Sequence, residues 1–384
     1  MRYVAFPISN GMRIIFTGGG TGGHVMPLIA VTRELQRIAE DNRILDIELR
    51  YLGPDNGAYD VLKHEDIICE AVSAGKWRRY LSIRNFFDIF LTLWGIIQSA
   101  YKLWRIMPDV IFSKGGYASF PVLVIARIYR LPVIIHESDA TPGIVNRWSK
   151  KFAKRIAVSF AKTAEFFPVE KTAVVGNPVR KRLLGGLRDG ARDHLSIFSQ
   201  KPVLLIFCGS QGAEPINRLV LSGLKNFINN FEIIHQTGPD NFADVSQQSM
   251  VILNKEDRSF YHPYPYLDET RLREAYAAAD IILARAGSTI FEIAAVGKPS
   301  VLIPLPHAAQ DHQRENAYEY AKTSGAVVIE EANATPNLVL HTILRIFETP
   351  GELERMREGA TRFARIDAAE TIAREILEIG LHHD

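Results

Sequence analysis

Residues 13–24 of the chain read RIIFTGGGTGGH, a short apolar run that passes directly into a glycine-rich turn. The run Arg13–Thr17 is typical of a strand that is buried on both faces. In the turn Gly18–Gly23, backbone N–H groups can approach a phosphate closely, and the helix expected next directs its positive end at the same ligand. This stretch predicts the opening of a Rossmann-like unit, with a tight turn that binds no ligand as the alternative.

The same pattern restarts half a chain later, where the run Val203–Cys208 leads into GSQGA at residues 209–213 and then into a second helix. Apolar runs alternate with amphipathic stretches throughout, which indicates parallel sheets covered by helices. The other predicted strands are 47–52, 110–113, 133–136, 173–175, 232–236, 281–284 and 300–304. The predicted helices are 28–39, 83–106, 144–152, 216–227, 272–278 and 313–323.

These two openings predict an α/β protein of two Rossmann-like domains, spanning residues 1–178 and 179–363. Gly176-Asn177-Pro178 suits the join, because glycine and proline interrupt regular structure. The end of the chain, about 364–384, is helical in pattern and is expected to pack back on the first domain.

The composition excludes several classes of protein. The 384 residues include 45 Lys+Arg against 43 Asp+Glu, whereas a dedicated nucleic-acid binder normally shows a larger basic excess. Two cysteines cannot form a disulfide framework, which favours a reducing compartment. No run reaches the roughly 20 apolar residues of a membrane span, and residues 1–16 do not resemble a signal peptide. A cytosolic protein is therefore expected.

Polar loops follow several predicted strands. Ser210 in the second glycine turn is a hydroxyl donor for an anion, and Glu292 lies one turn into the helix after residues 281–284. A carboxylate there can accept hydrogen bonds from a ribose diol, although it can also simply complement the helix dipole. The clusters 136–139 and 307–316 also follow strands. No Asp-x-Asp pair occurs, which disfavours a metal-bound nucleotide-sugar diphosphate.

Residues 71–107 combine basic and aromatic side chains around a single acid, Asp88. Such a segment suits an anionic membrane interface. The prediction is an interface at Lys76, Trp77, Arg78, Arg79, Tyr80 and Leu81. For the helix 83–106 itself, an interface and a buried helix with solvated charges remain equal alternatives.

Taken in order, the stretches GGGTGGHVMPLIAV, KGGYASFP, HESDATPGIVN, VVGNPVR, GSQGA, RAGSTIFEIAAVGKPS and DHQRENA resemble the MurG family, glycosyltransferase family 28. The resemblance implies the GT-B fold, in which two Rossmann-like domains face each other across a cleft. It implies inverting transfer of N-acetylglucosamine from UDP-GlcNAc to the 4-hydroxyl of the muramyl sugar of lipid I, forming lipid II. It also implies that no metal or other cofactor is required.

The resemblance further implies site residues by motif. Those that would hold UDP-GlcNAc are Thr21, Gly22, Gly23, Asp139, Arg180, Ser210, Leu267, Ser288, Thr289, Glu292 and Gln313. In that picture Glu292 takes the ribose, the backbone at Leu267 reads the uracil edge, and Asp139 stands where the family commonly has asparagine. Gly115, Gly116 and Tyr117 would lie near the acceptor diphosphate.

Inverting transfer needs a base for the acceptor hydroxyl, and His24 is the predicted one. A helix N-terminus disfavours the imidazolium, which leaves a neutral imidazole near working pH. Glu137 is the second candidate, either as base or as the group that orients the acceptor. Alternatively, His24 only hydrogen-bonds the acceptor phosphate or packs the turn.

Other functions were weighed against this one. The G-x-G-x-x-G match favours a nicotinamide-dependent oxidoreductase, but the acid expected about 20 residues later is missing. A UDP-GlcNAc 2-epimerase would share the GT-B fold without a lipid substrate, and a nucleotide-binding module would leave His24 without a role. The expected partners are UDP-GlcNAc, lipid I, an anionic membrane surface and cell-wall synthesis proteins, with no nucleic acid, at the cytoplasmic face of the membrane.

Overall fold

The fold is that of a computed structural model, which describes residues 11–19, 22–42, 46–55, 57–75, 83–306, 308 and 311–381, without the side chains of residues 22 and 83–85. The chain divides into two compact units. Unit 1 is formed by the chain up to Ser138, by Pro142–Pro178 and by the residues from Asp367 onward. Unit 2 is formed by Asp139–Thr141 and Val179–Ile366.

Unit 1 is built on a parallel sheet of seven strands. In chain order they are β1 (Met12–Thr17), β2 (Ile47–Gly53), β3 (Ile68–Ala71), β4 (Val110–Ser113), β5 (Val133–Glu137), β6 (Arg155–Val158) and β7 (Thr172–Val174). In space the order is β3-β2-β1-β4-β5-β6-β7. The strand order reverses between β1 and β4, which is where such sheets bind ligands at their carboxyl ends.

Helices cover both faces of this sheet. They are α1 (Gly22–Asp41), α2 (Tyr59–Lys63), α3 (Ile83–Ile106), α4 (Phe120–Tyr129), α5 (Ile144–Ser149), α6 (Ala161–Ala164) and the last helix, Ala368–Leu381. Ile14 and Phe16 of β1 point into the core under α1 and the last helix, while Ile15 points into the core under α3 and α4. This alternation follows from the two-residue period of a strand.

Unit 2 repeats the plan with six parallel strands. They are β8 (Val203–Phe207), β9 (Glu232–Gln236), β10 (Tyr261–Tyr264), β11 (Ile281–Ala284), β12 (Ser300–Leu302) and β13 (Ala326–Val328), in the spatial order β10-β9-β8-β11-β12-β13. The helices are α7 (Arg188–His194), α8 (Glu214–Asn230), α9 (Phe242–Ile252), α10 (Glu269–Ala278), α11 (Thr289–Ala295), α12 (His312–Ala321), α13 (Pro336–Glu348) and α14 (Glu352–Phe363), so the last helix of the chain is α15.

The predicted fold class is confirmed for each unit, but several elements differ from their predictions. Strands β3, β6, β10 and β13 were not predicted. Each has only three or four residues, and β3, β10 and β13 lie at sheet edges, where a polar residue or Pro263 is tolerated. The predicted helix 144–152 ends earlier, at Ser149, and the predicted strand 300–304 ends at Leu302.

Candidate active site

The best-defined polar contact at the carboxyl ends of the unit 2 sheet joins Arg180 and Glu292. Glu292 lies in the first helical turn after β11, and its Oε1 accepts from Arg180 Nε at 3.0 Å and from Nη2 at 2.8 Å. The side chains are only 8% and 12% exposed. Burial lowers the pKa of Arg180, but the carboxylate of Glu292 more than compensates and raises it above its ordinary value.

These contacts show how Glu292 is held within the fold. Its carboxylate binds Arg180 and lies 3.4 Å from the hydroxyl of Tyr276, rather than capping the backbone of α11. Ser288 is the N-cap residue, and its side chain makes no capping bond either. Glu292 is therefore held by a neighbouring cation, and its contact with a ribose stays a prediction.

The other predicted donor residues on the loops after β11 and β12 lie near one another. Ser288 and Thr289 begin α11, and an added Cβ at Gly287 would lie 3.9 Å from Nε2 of Gln313. Gln313 itself accepts from the backbone N–H of Leu305 at 3.0 Å. The turn after β11 and the start of α12 therefore lie close together. One ligand can contact both motifs only if they are neighbours.

Gln236 is a site residue that the sequence reasoning missed. It is the last residue of β9 and is 1% exposed. Its Nε2 donates to Gly209 O and its Oε1 accepts from Leu267 N, both at 2.6 Å. The side-chain amide of Gln236 therefore fixes the turn that carries Ser210 relative to Leu267. The backbone N–H of Leu267 is used in this contact. The sequence signal that could have identified Gln236 is a polar residue at the end of a buried strand.

A three-residue excursion of the chain, Asp139–Thr141, belongs to unit 2 although it follows β5. Asn316 of α12, fully buried, holds it: its Nδ2 donates to Asp139 Oδ1 at 2.9 Å and to Ala286 O at 3.2 Å. Its Oδ1 accepts from Ala140 N at 2.8 Å. Asn316, which the sequence showed only as part of a polar cluster, thus joins Asp139 to the loop after β11.

We expect Asn316→Ala to lower the free energy of unfolding by about 2–3 kcal/mol, because it removes the three hydrogen bonds that this buried amide makes with Asp139, Ala140 and Ala286. Asn230→Ala is the matched control, since that amide is exposed and donates only to Asn226 O. The control should change stability by less than about 0.5 kcal/mol. Urea unfolding followed by circular dichroism measures both, and equal losses would contradict the assignment.

In unit 1, the first glycine turn is shaped by close backbone approach. Gly18 has φ 128°, a value that L side chains rarely adopt, and an added Cβ would come within 2.9 Å of Lys114 Cβ. The hydroxyl of Tyr51 donates to Gly18 O at 2.6 Å. Gly22, Gly23 and His24 form the start of α1, and His24 is half-buried there. Thr21 lies outside the described residues.

The second predicted turn of unit 1 follows β4. Gly115 and Gly116 have φ 71° and 79°, and a Cβ on Gly115 would lie 2.6 Å from the amide of Asn146. Tyr117 follows as the first residue of a short 3-10 helix, half-buried. Glycine is therefore needed in this turn for two reasons. Both residues have a positive φ, and Gly115 leaves no room for a side chain.

Glu137, the second candidate base, is engaged within the fold. It is 5% exposed, and its Oε2 accepts from Gly143 N and from Asn146 Nδ2, both at 2.9 Å. Asn146 lies next to Gly115, so the carboxylate of Glu137, which binds Asn146, supports the turn after β4. This position favours the role of orienting the acceptor over that of a base.

A buried lysine joins the loops of unit 1. Lys114, 2% exposed, places Nζ 2.6 Å from His136 Nδ1 and donates to Ser138 Oγ and to Asn177 Oδ1. His136 Nε2 lies 2.9 Å from Gly176 O, so the imidazole donates there and accepts from Lys114. Burial, reinforced by the Lys114 ammonium, holds the pKa of His136 well below its ordinary value. The sequence did not single out Lys114.

The helix α3 is the most exposed apolar element of unit 1. Its apolar face consists of side chains that are 54–61% exposed, namely Phe86, Phe87, Phe90, Trp94, Ile97, Tyr101 and Trp104. Lys102 and Arg105 bind Glu70 at 2.6 and 2.7 Å. The interpretation as a buried helix is therefore wrong for this face of α3, and the single carboxylate of Glu70, which also binds Arg50, is shared by three cations. The predicted interface residues Lys76–Leu81 lie outside the described residues.

In the described part of the chain, no helix has both the length and the hydrophobicity needed to cross a bilayer. Among the same residues, no three His, Cys, Asp or Glu side chains lie close enough together to hold a metal ion. The absence of a metal requirement stays a prediction.

Comparison with known proteins identifies both halves of the chain. Residues 14–158 match the glycosyltransferase family 28 N-terminal domain, and residues 203–372 match the C-terminal domain. A protein of Bacillus thuringiensis subsp. konkukian (strain 97-27) is 35% identical over 95% of this chain and 99% of its own length. One of Thermoanaerobacter sp. (strain X514) is 32% identical over 96% and 100%. Both carry the name UDP-N-acetylglucosamine–N-acetylmuramyl-(pentapeptide) pyrophosphoryl-undecaprenol N-acetylglucosamine transferase, with the number 2 added for the first.

Solved structures agree with this result. The crystal structure of Acinetobacter baumannii MurG has a TM-score of 0.71 at 25% identity, covering 96% of this chain and 99% of that one. The UDP-GlcNAc 2-epimerase of Neisseria meningitidis, bound to UDP-GlcNAc, has a TM-score of 0.67 at 15% identity, covering 96% and 100%. At that identity the epimerase shows the shared fold alone.

Proposed function

The chain belongs to glycosyltransferase family 28 and is a UDP-GlcNAc-dependent transferase of peptidoglycan synthesis with the GT-B fold, and we propose the roles of its residues from that premise. The transfer is to the 4-hydroxyl of the muramyl sugar of lipid I, with inversion. The epimerase alternative is less well supported, because relatives at 32–35% identity carry the transferase name.

The buried Arg180–Glu292 pair carries the proposal for the donor. Two guanidinium nitrogens orient one carboxylate oxygen, so Glu292 presents its other lone pairs in a fixed direction to the ribose hydroxyls. Ser210 lies on the turn after β8, where it can donate to the diphosphate. The backbone of Leu267, fixed through Gln236, lies where it can meet the uracil.

The remaining donor contacts come from small residues and amides. Ser288 and Thr289 supply backbone N–H groups at the start of α11. Gln313 supplies a side-chain amide beside Gly287. These groups meet the negative charge that develops on UDP as it leaves, which is the role that preorganised donors play in transfer reactions. Arg180 acts mainly through Glu292, because its Nε and Nη2 are both used there. Thr21, Gly22, Gly23 and Asp139 complete the set.

For the acceptor, we assign the base to His24 and the diphosphate to the turn of Gly115, Gly116 and Tyr117. The proton of the 4-hydroxyl passes to the imidazole while its oxygen bonds to the anomeric carbon of GlcNAc. The bond from this carbon to UDP breaks on the opposite side, so the configuration inverts. Glu137 orients the acceptor turn through Asn146.

The enzyme works at the cytoplasmic face of the membrane as a peripheral protein, because its acceptor carries a lipid. The apolar face of α3 supports this proposal, since aromatic side chains that are more than half exposed are costly in water and stable at a bilayer interface. The segment Lys76–Leu81, directly before α3 in the chain, adds the positive charge of Lys76, Arg78 and Arg79.

We expect the double variant Phe90→Ser, Trp94→Ser to bind vesicles of phosphatidylcholine and phosphatidylglycerol about 30- to 100-fold more weakly. Each side chain is 54–55% exposed, and inserting that apolar area contributes about 1–1.5 kcal/mol per residue. The control is Phe198→Ser, Val251→Ser in unit 2, where the exposed fractions are 77% and 83%. Vesicle sedimentation measures both, and UDP binding should be unchanged. Equal affinities of the two variants would contradict the proposal.

A further inference from the structure

Lys114 lies between the two glycine turns of unit 1. It directly follows β4, and its backbone N–H donates to the carbonyl of Thr17 at the end of β1, at 2.9 Å. A Cβ added to Gly18 would lie 2.9 Å from Lys114 Cβ, and Gly115 is the next residue of the chain. A displacement of Lys114 therefore changes the distance between the first glycine turn and the turn after β4.

The ammonium of Lys114 connects the ends of two further strands. Its Nζ lies 2.6 Å from Nδ1 of His136 in β5 and donates at 2.5 Å to Oγ of Ser138, which directly follows β5. It also donates to Oδ1 of Asn177 at 3.0 Å, in the loop after β7. An ammonium has three N–H donors, which match these three acceptors in number. One residue thus holds the carboxyl ends of β1, β4, β5 and β7 together.

The loops after β5 and β7 are also joined to each other. Ser138 Oγ donates to Asn177 Oδ1 at 3.2 Å, and His136 Nε2 lies 2.9 Å from the carbonyl oxygen of Gly176. The four side chains of this cluster are all buried, namely those of Lys114, His136, Ser138 and Asn177. Because hydrogen bonds are stronger in such surroundings and water does not replace a lost partner, the cluster holds these strand ends in one arrangement.

We propose that Lys114 is a positioning residue for the lipid acceptor. The turn that follows it is the proposed site of the acceptor diphosphate, and the first glycine turn leads directly into His24, the proposed base. The distance between the two turns sets where the acceptor hydroxyl lies relative to the imidazole, and Lys114 fixes that distance. The inference rests on the proposed function and adds a residue that acts through the two turns rather than by contact with a substrate.

The test compares the wild type with Lys114→Met, which removes the three N–H donors and keeps most of the side-chain volume. We expect kcat/KM for the lipid acceptor to fall about 30- to 100-fold, because a displacement of about 1 Å between reacting groups costs up to about 100-fold. The affinity for UDP should change by less than about threefold, since Ser210, Leu267 and Glu292 all lie in unit 2. Steady-state kinetics and calorimetric titration with UDP measure the two quantities.

The matched control is Lys298→Met. Lys298 is a half-buried lysine of unit 2 whose Nζ donates to the carbonyl oxygens of Ala277 and Ala279 at 3.2 and 2.6 Å, before the amino end of β12. The control should lower the stability towards urea but leave kcat/KM for the acceptor within about twofold of the wild type. An equal loss of kcat/KM in both variants would overturn the inference, because the effect would then be general destabilisation.

Ser138→Ala is a second variant that removes one partner of Lys114 with little change in volume. Alone, it should lower kcat/KM for the acceptor about 3- to 10-fold, and this result does not require that Lys114→Met folds. Added to Lys114→Met, it should cost about twofold or less, because its contact with Lys114 is already lost. If the two losses simply multiply, the residues act independently and Lys114 is not the positioning residue.

The outcomes also separate this inference from the proposed function. A wild-type protein that transfers no sugar from UDP-GlcNAc to a lipid I analogue would contradict the proposed function, and the role of Lys114 with it. Equal kcat/KM for the acceptor in the wild type and in Lys114→Met would overturn the role of Lys114 alone.

Discussion

Replacing His24 by alanine should lower kcat for transfer by about 10²–10⁴-fold, with little change in the affinity for UDP. The expected loss is that of a general base, because the acceptor hydroxyl is a poor nucleophile until its proton is removed. His24 lies in the first turn of α1, directly after the glycine turn. Steady-state kinetics with saturating lipid acceptor measure the effect.

His24→Gln tells a base from a hydrogen-bonding residue. The amide keeps a donor and an acceptor at this position but cannot take the proton, so it should be nearly as slow as alanine. If glutamine restores the rate, His24 only binds the acceptor phosphate. His64→Ala is the control for loss of a histidine, since His64 is an exposed residue of unit 1 directly after α2. A wild-type kcat in His24→Ala would move the assignment to Glu137.

Replacing Glu292 by alanine should weaken UDP binding about 10- to 100-fold, because a charged acceptor of ribose hydrogen bonds contributes about 1.5–3 kcal/mol. It should also destabilise the protein by about 3–5 kcal/mol, since Arg180 is then buried without this partner. Glu269, 3.8 Å from Arg180 Nη1, is too distant to replace a bidentate contact. Calorimetric titration with UDP and urea unfolding measure the two losses.

The double variant Arg180→Leu, Glu292→Leu separates binding from stability. Removing both charges eliminates the cost of an unpaired buried ion, so stability should recover substantially, while UDP affinity should stay low. Glu256→Ala, at an exposed position of unit 2, should change neither quantity. A Glu292→Ala variant that binds UDP as tightly as the wild type would rule out the proposed ribose contact.

The two Rossmann-like units could be predicted because their signals are local. Buried strands such as β1 and β8 are short apolar runs followed at once by glycine turns, and this pattern does not depend on distant residues. Helix α3 was predicted with the observed bounds, Ile83–Ile106. Its environment was not, because only the packed unit shows that its aromatic face is exposed and that Lys102 and Arg105 bind Glu70.

The candidate site likewise has residues that the sequence could predict and residues that it could not. Glu292 and Ser210 could be named from their place after a strand, since a ligand's contacts collect at strand ends. The residues that hold these loops in place could not be predicted. Gln236 is 31 positions from Leu267, Asn316 is 177 positions from Asp139, and Lys114 is 63 positions from Asn177. No spacing rule connects such pairs.

By itself, the sequence determined the strand–turn–helix openings, the glycine-rich turns and the family. These follow from short-range sterics and from the period of buried residues along the chain. Only the tertiary structure decided that Arg180 binds Glu292 and that Glu137 supports the turn after β4. Those results depend on which side chains burial brings together, and burial is a property of the whole packed unit.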